Sequence, residues 1–240
     1  MRNVLITGGS HGIGRACVKE FAKDENTRVI FTCKTSIDEA KALCEETGAV
    51  SYQVDQADET AVEELARDIH NRYGRISVLV NNAGASGGQR LFTDLTLSQW
   101  EETFRVNVNS IFLTTRAFLP DMIHAKTGCI INLSSIWGMV GGSCETDYSA
   151  AKGAVIAFTK ALAKETGPSG IRVNCVAPGV IDTRMNGHLT QEEMGQLKEE
   201  TPLERIGTPE EVAALIHFLA SEKAEFLTGQ VISPNGGIVI

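Results

Sequence analysis

Short apolar runs alternate with amphipathic stretches almost to the end of the chain. Asn3–Thr7, Arg28–Cys33, Val50–Val54, Ile76–Val80, Cys129–Leu133, Ile171–Val176 and Gln230–Ser233 are β-rich and mostly continuous, which predicts strands covered on both faces. Between most of them apolar residues recur at helical spacing. In the third connection Ala61, Leu65 and Ile69 share a face with Val62 and Ala66. Parallel strands need crossover connections, so the pattern predicts an α/β fold: a doubly wound sheet of seven parallel strands with helices on both faces. No linker or internal repeat divides the sequence, and residues 1–240 are expected to form a single domain. The least regular stretch, about 182–208, is polar and punctuated by Gly187, Gly195, Pro202 and Gly207. Following a strand's carboxyl end, it is expected to be a lid over a ligand.

Composition narrows the function without naming it. The 240 residues include 22 basic and 30 acidic side chains, a net charge of −8, with 42% hydrophobic and 22% charged residues. That is the make-up of a folded globular protein. It disfavours nucleic acid, whose phosphates need a basic face, and no apolar run approaches the ~20 residues that span a bilayer. The opening MRNVLITGG enters a strand-like run with no cleavage signal, so a cytoplasmic protein is expected. Six cysteines (Cys17, Cys33, Cys44, Cys129, Cys144, Cys175) form no CxxC pair and are expected to be buried free thiols. Five histidines (His11, His70, His124, His188, His217) lack metal-ligand spacing, so no metal site is expected.

Two elements carry chemistry. The first predicted strand runs into TGGSHGIG (Thr7–Gly14) and then a helix, an arrangement that brings backbone N–H groups and a helix N-terminus to a pyrophosphate. Its G-x-x-x-G-x-G spacing differs from the G-x-G-x-x-G of long-chain dehydrogenases. Further on, Tyr148 and Lys152 in YSAAK stand four apart on a predicted helix and face the same way. An ammonium beside the phenol favours the phenolate, which predicts a tyrosine acting as acid–base near neutrality. Ser135 ends the strand CIINL, where a doubly wound fold places its ligand crevice, and its hydroxyl suits a substrate carbonyl.

Over essentially its whole length the chain resembles the short-chain dehydrogenase/reductase family. The resemblance rests on Thr7–Gly14, NNAG at Asn81–Gly84, Asn107 in FRVNVNS, Ser135, YSAAK at Tyr148–Lys152, and APG at Ala177–Gly179. It implies a Rossmann-type NAD(P)-dependent oxidoreductase with a catalytic tetrad of Asn107, Ser135, Tyr148 and Lys152. In that role Tyr148 protonates the carbonyl oxygen, Ser135 holds it, Lys152 binds the nicotinamide ribose, and Asn107 holds a relay water. The implied cofactor residues are Gly8, Ser10, His11, Gly12, Ile13, Gly14, Lys34, Asp55, Asn82, Ala83 and Gly84. Tyr148, Lys152, Pro178, Gly179, Ile181 and Thr183 complete them. A scaffold that senses NADP without turnover is the non-enzyme alternative; loss of a tetrad member would favour it, and none is lost.

At the end of the second strand, TCKTS has Cys33 where an NAD-selective protein places an acid, with Lys34 beside it. NADP(H) is therefore favoured over NAD(H), although His11 stands where NADP-binding relatives carry arginine. Asp58 is read as the cap of the third helix. The layout resembles 3-oxoacyl-acyl-carrier-protein reductases, in which basic residues beside the site recruit an acidic carrier. Lys126 keeps one such charge and Ser169 lacks the other. The stretch SSIWGMVGGSCETDYSAAK, with GVIDTRMNGHL and TPLERIGTPEEV, more closely resembles bacterial reductases of the 5-aminopentanone group on a lysine of elongation factor P. A small or steroid-like ketone is the further alternative. Substrate contacts are expected at Ser135, Trp137, Glu145 and Tyr148. Glu145 and Asp147 either pair with a cationic group or cap the Tyr148 helix; Trp137 either lines the pocket or packs in the wall. Met185, Leu189, Met194 and Leu197 are expected to form an apolar lid face. The resemblance also implies a homotetramer, and the ending VISPNGGIVI reads as a buried terminus.

Overall fold

The computed structural model describes residues 1–187 and 189–240. Its strands are β1 (Arg2–Ile6), β2 (Thr27–Cys33), β3 (Val50–Gln53), β4 (Val78–Asn81), β5 (Gly128–Leu133), β6 (Ile171–Val176) and β7 (Val231–Ile232). All pair in parallel in the order β3-β2-β1-β4-β5-β6-β7. Each lies within about two residues of its sequence expectation, the usual scatter of element ends. The order reverses between β1 and β4, and a doubly wound sheet opens its ligand crevice at that switch, beyond the strands' carboxyl ends.

Nine helices flank the sheet among the described residues. They are α1 (Gly12–Phe21), α2 (Ile37–Thr47), α3 (Glu59–Tyr73), α4 (Leu97–Phe104), α5 (Ser110–Ala125), α6 (Trp137–Val140), α7 (Thr146–Thr166), α8 (Gln191–Glu200) and α9 (Pro209–Ala220). Alternation along β1 sends Val4 and Ile6 to one face and Leu5 to the other. The first face packs on Cys17, Val18 and Phe21 of α1 and on Val212, Ile216 and Leu219 of α9. The second packs on Val62, Leu65 and Ile69 of α3, Phe118 and Met122 of α5, and Leu162 of α7. Each such large side chain, fully buried, contributes about 1.5–3 kcal/mol. Asp58 caps α3 as expected, accepting from the Ala61 N–H at 3.0 Å.

Two departures matter for the site. Between α4 and α5 the helix does not break but widens into a π turn over Arg105–Asn109. After β6 the chain leaves the sheet at Ile181 and returns at Gly207, and these two residues form an isolated parallel bridge. None of the residues of α8, inside that excursion, is buried. The C-terminal segment is a correction. Because β7 is a two-residue edge strand, positions 231–239 are only half-buried within the chain and Ile240 is exposed.

Candidate active site

The glycine-rich turn leaves β1 and is fastened to β4. The Thr7 hydroxyl accepts from the N–H groups of Asn82 (3.0 Å) and Ala83 (2.9 Å), while the Asn82 amide donates to the carbonyls of Thr7 (2.9 Å) and Gly8 (3.0 Å). The fit tolerates no side chain at Gly14: a Cβ there would lie 2.1 Å from the Gly8 oxygen and 2.5 Å from Asn82 Nδ2. His11 precedes α1 without a side-chain cap bond, so the helix start is not closed by its own cap and faces the cleft. Backbone donors at a helix start are what a dinucleotide's pyrophosphate requires, and this cradle fits one.

The reactive side chains converge at the next strand ends. Ser135 follows β5, and α7 brings Tyr148 and Lys152 across from it. Lys152 Nζ donates to the Leu133 carbonyl at 3.0 Å and sits 5.5 Å from the centre of the Tyr148 ring. Its own carbonyl accepts from the Ser134 hydroxyl at 2.8 Å. Asn107 lies in the π turn, fully buried, and donates to the carbonyls of Ala85 (2.9 Å) and Thr103 (3.0 Å). Gly84 separates it from the lysine: a Cβ there would meet Asn107 Oδ1 at 2.7 Å and Lys152 Nζ at 3.2 Å. Three of the four residues line the cleft, and Asn107 stands one layer behind. The π turn was not legible in FRVNVNS, since it needs a widening that no residue spacing marks.

The electrostatics differ from the sequence expectation. Burial pushes the Tyr148 phenol up to about 12, with the Glu145 carboxylate adding to the rise and a hydrogen bond with Ser135 opposing it. Burial also pushes Lys152 down to about 8. The ammonium lies over the ring rather than at the phenol oxygen, so desolvation outweighs its attraction for a phenolate. The phenol is therefore protonated at neutral pH, the form a proton donor needs.

A cleft of ≈ 850 Å³ runs from the glycine turn to these residues. Except for Gly14, which is buried behind the turn against Gly8 and Asn82, every cofactor position inferred from the resemblance lines it. Two of them hold each other: Lys34 Nζ lies 2.8 Å from Asp55 Oδ2, which Arg105 also approaches at 3.4 Å. Trp137 and Glu145 line the cleft as well, and the Trp137 N–H donates to Ser135 Oγ at 3.2 Å. Glu145 occupies the cap position of α7 without making a side-chain cap bond. Asp147 is neither cap nor cleft residue; it is buried and accepts from the Thr103 hydroxyl at 2.7 Å, bracing α7 against α4.

Other expectations are also corrected. Of the apolar lid residues only Met185 reaches the cleft; Met194 and Leu197, on α8, do not. His188 lies outside the described residues. Lys126 and Ser169 precede β5 and β6, so in this chain they sit at the opposite end of the sheet from Ser135, not beside the site. All six cysteines are free, but Cys144 is a half-buried loop residue with a left-handed φ of 61° rather than a packed thiol. Among the described residues no group of three metal-ligating side chains occurs, and no helix is long and apolar enough to cross a membrane.

Fold and site together define a class. The chain belongs to the short-chain dehydrogenase/reductase family and is an NAD(P)-dependent oxidoreductase acting on CH–OH/C=O groups. Residues 8–239 match the family described as enoyl-(acyl carrier protein) reductase. Among individual relatives, the 3-oxoacyl-[acyl-carrier-protein] reductase FabG of Aquifex aeolicus is 40% identical over 98% of this chain and 96% of its own. The FabG of Thermotoga maritima is 38% identical over 98% and 97%. The uncharacterized oxidoreductase YmfI of Bacillus subtilis is 39% identical over 98% of each.

Proposed function

We propose that the chain is an NADPH-dependent reductase of a protein-tethered ketone. The observation that carries this is the convergence of Ser135, at the end of β5, with Tyr148 and Lys152 of α7 on one cleft, the Lys152 ammonium lying 5.5 Å from the centre of the Tyr148 ring. The cofactor, when bound, supplies the hydride. Ser135 holds the carbonyl oxygen, and Tyr148 gives it the proton as negative charge develops there. Lys152 is anchored by Leu133 and binds the nicotinamide ribose; Asn107 holds the π turn and the Ala85 backbone behind it. The remaining cofactor positions are Gly8, Ser10, His11, Gly12, Ile13, Lys34, Asp55, Asn82, Ala83, Gly84, Pro178, Gly179, Ile181 and Thr183, which line one cleft, and Gly14, which packs behind the turn. Preference for the 2′-phosphate is supported by Cys33 in place of an acid and by Lys34 on the cleft wall. Free thiols throughout suit a cytoplasmic setting. Exposed Phe112 and Ile123 on α5 and the half-buried C-terminal segment support a homotetramer, which light scattering would test.

Two substrates remain, each with its own support. Glu145, half-buried in the cleft and acting on Tyr148, favours a cationic ketone such as the aminopentanone on a lysine of elongation factor P. The names of the Aquifex and Thermotoga relatives favour a 3-oxoacyl thioester on a carrier protein. Tyr148→Phe should lower kcat/KM by about 10²–10⁴ on either substrate while leaving NADPH affinity within about twofold. Undiminished turnover overturns the mechanism. Glu145→Gln should slow the amino-ketone by about tenfold and spare the thioester, as expected for loss of one charge-assisted contact. Equal effects on both would remove the cationic reading.

A further inference from the structure

Three segments distant in sequence meet over the adenosine end of the cleft. Thr183, in the excursion after β6, has its Cγ2 3.5 Å from where a Gly12 side chain would begin, so the excursion crosses directly over the start of α1. The next residue, Arg184, reaches onward to Glu39 in the first turn of α2, with Nη2 3.1 Å from Oε1. Its guanidinium therefore stands beside the end of β2 and also lies on the cleft wall with Lys34, Thr35 and Ser36.

We propose that Arg184 is a specificity-determining residue for the cofactor, contacting the adenosine 2′-phosphate from the excursion across the cleft. The inference rests on the NADP(H) reading above and names the residue that enforces it. The carboxyl end of the second strand is where a doubly wound fold reads the ribose 2′ position. Neither of the groups expected there offers a planar donor fork. Lys34 is shared with Asp55 at 2.8 Å. His11 is held below its ordinary value, first by burial and then by Arg184 itself, which disfavours its charged form. Arg184 supplies a permanent charge and a planar donor fork that matches phosphate oxygens two at a time. Glu39 is a positioning residue: it holds the guanidinium at the ribose end, and the fork exchanges a carboxylate for a phosphate of the same geometry. The ion pair is solvent-exposed, 61% for Arg184 and 42% for Glu39, so the exchange displaces no packed group.

The test is calorimetric titration of the full chain with 2′,5′-ADP and 5′-AMP, which needs no turnover. Wild type should prefer 2′,5′-ADP. Arg184→Met should weaken 2′,5′-ADP by about 10- to 100-fold, the scale of a charge-assisted phosphate contact, and leave 5′-AMP within about twofold. Arg184→Lys should recover part of the loss, retaining charge without the fork. A wild-type preference that survives Arg184→Met overturns the role of Arg184 and leaves the NADP(H) reading intact. Equal weakening of both ligands also overturns it, because that would mark a pyrophosphate contact or a general effect on the cleft. A wild type that binds the two nucleotides equally overturns the NADP(H) reading itself.

Discussion

The floor of the cleft and the excursion that overhangs it are built on opposite principles. The floor is buried and tied by polar side chains. Asn81 on β4 donates to Asn132 on β5 at 2.8 Å, and Asn132 donates to Thr159 on α7 at 2.9 Å, so two strands and the helix carrying Tyr148 are locked in one register. The excursion has almost the reverse character. The capping box of α8 is internal to the excursion, between Thr190 and Glu193, and no residue of that helix is buried. Its anchorage to the body includes the Ile181–Gly207 bridge and the Arg184–Glu39 pair. Reacting atoms must be held to fractions of an ångström, whereas a segment that admits substrate must be able to move. The molecule thus separates precision from access.

The contrast breaks first at the glycine turn. Gly14→Ala places a methyl 2.1 Å from the Gly8 oxygen, against backbone that cannot yield. We expect destabilisation of about 3 kcal/mol or more and loss of nucleotide binding; a melting temperature within a couple of degrees of wild type would refute the rigid floor. Lys152→Met works in the other direction. The folded lysine sits near 8, below its unfolded value near 10.5, so the folded state is penalised at neutral pH, where both forms are charged. That penalty fades as pH rises from about 8 to 10.5, because the unfolded chain then holds the extra proton. The methionine variant should be inactive yet about 2–3 kcal/mol more stable at pH 7, with the gain vanishing near pH 10.5. A gain independent of pH would show that packing, not charge burial, is responsible. The smallest effect belongs to the excursion. Gly195→Ala in α8 meets nothing within 4 Å and should stabilise by about 0.5–1 kcal/mol with no change in turnover. A loss there would mean that α8 packs on something during catalysis.

The same division explains what could be read from the chain. The five central strands were legible because each is a mostly apolar run buried on both faces, the half-exposed edges β3 and β7 by their β-rich residues, and Tyr148, Lys152 and Ser135 because short-range spacing and strand ends place them. Asp58 was legible for the same local reason. What escaped depends on distance in sequence. Asp147 reads as a cap until Thr103, 44 residues earlier, is seen to donate to it. Lys34 reads as a free cation until Asp55 from the next strand end meets it. Arg184 finds Glu39 across 145 residues, and no pattern in TRMNG hints at it. The direction of the Tyr148 shift was also missed, because proximity of Lys152 is a sequence property while desolvation is a property of the packed whole.

The bridge between Ile181 and Gly207 has a consequence for protein engineering. The Asp182 N–H donates to the Gly207 carbonyl at 2.9 Å, and the Gly207 N–H to the Val180 carbonyl at 3.0 Å, so the excursion enters and leaves the body at one stitched point. The stretch from about 185 to 206 is, in effect, an exchangeable cassette, provided that Thr183 and Arg184 stay for the cofactor. Its replacement with another loop of similar span is expected to change which substrates are admitted while β6, α9 and Tyr148 keep their places.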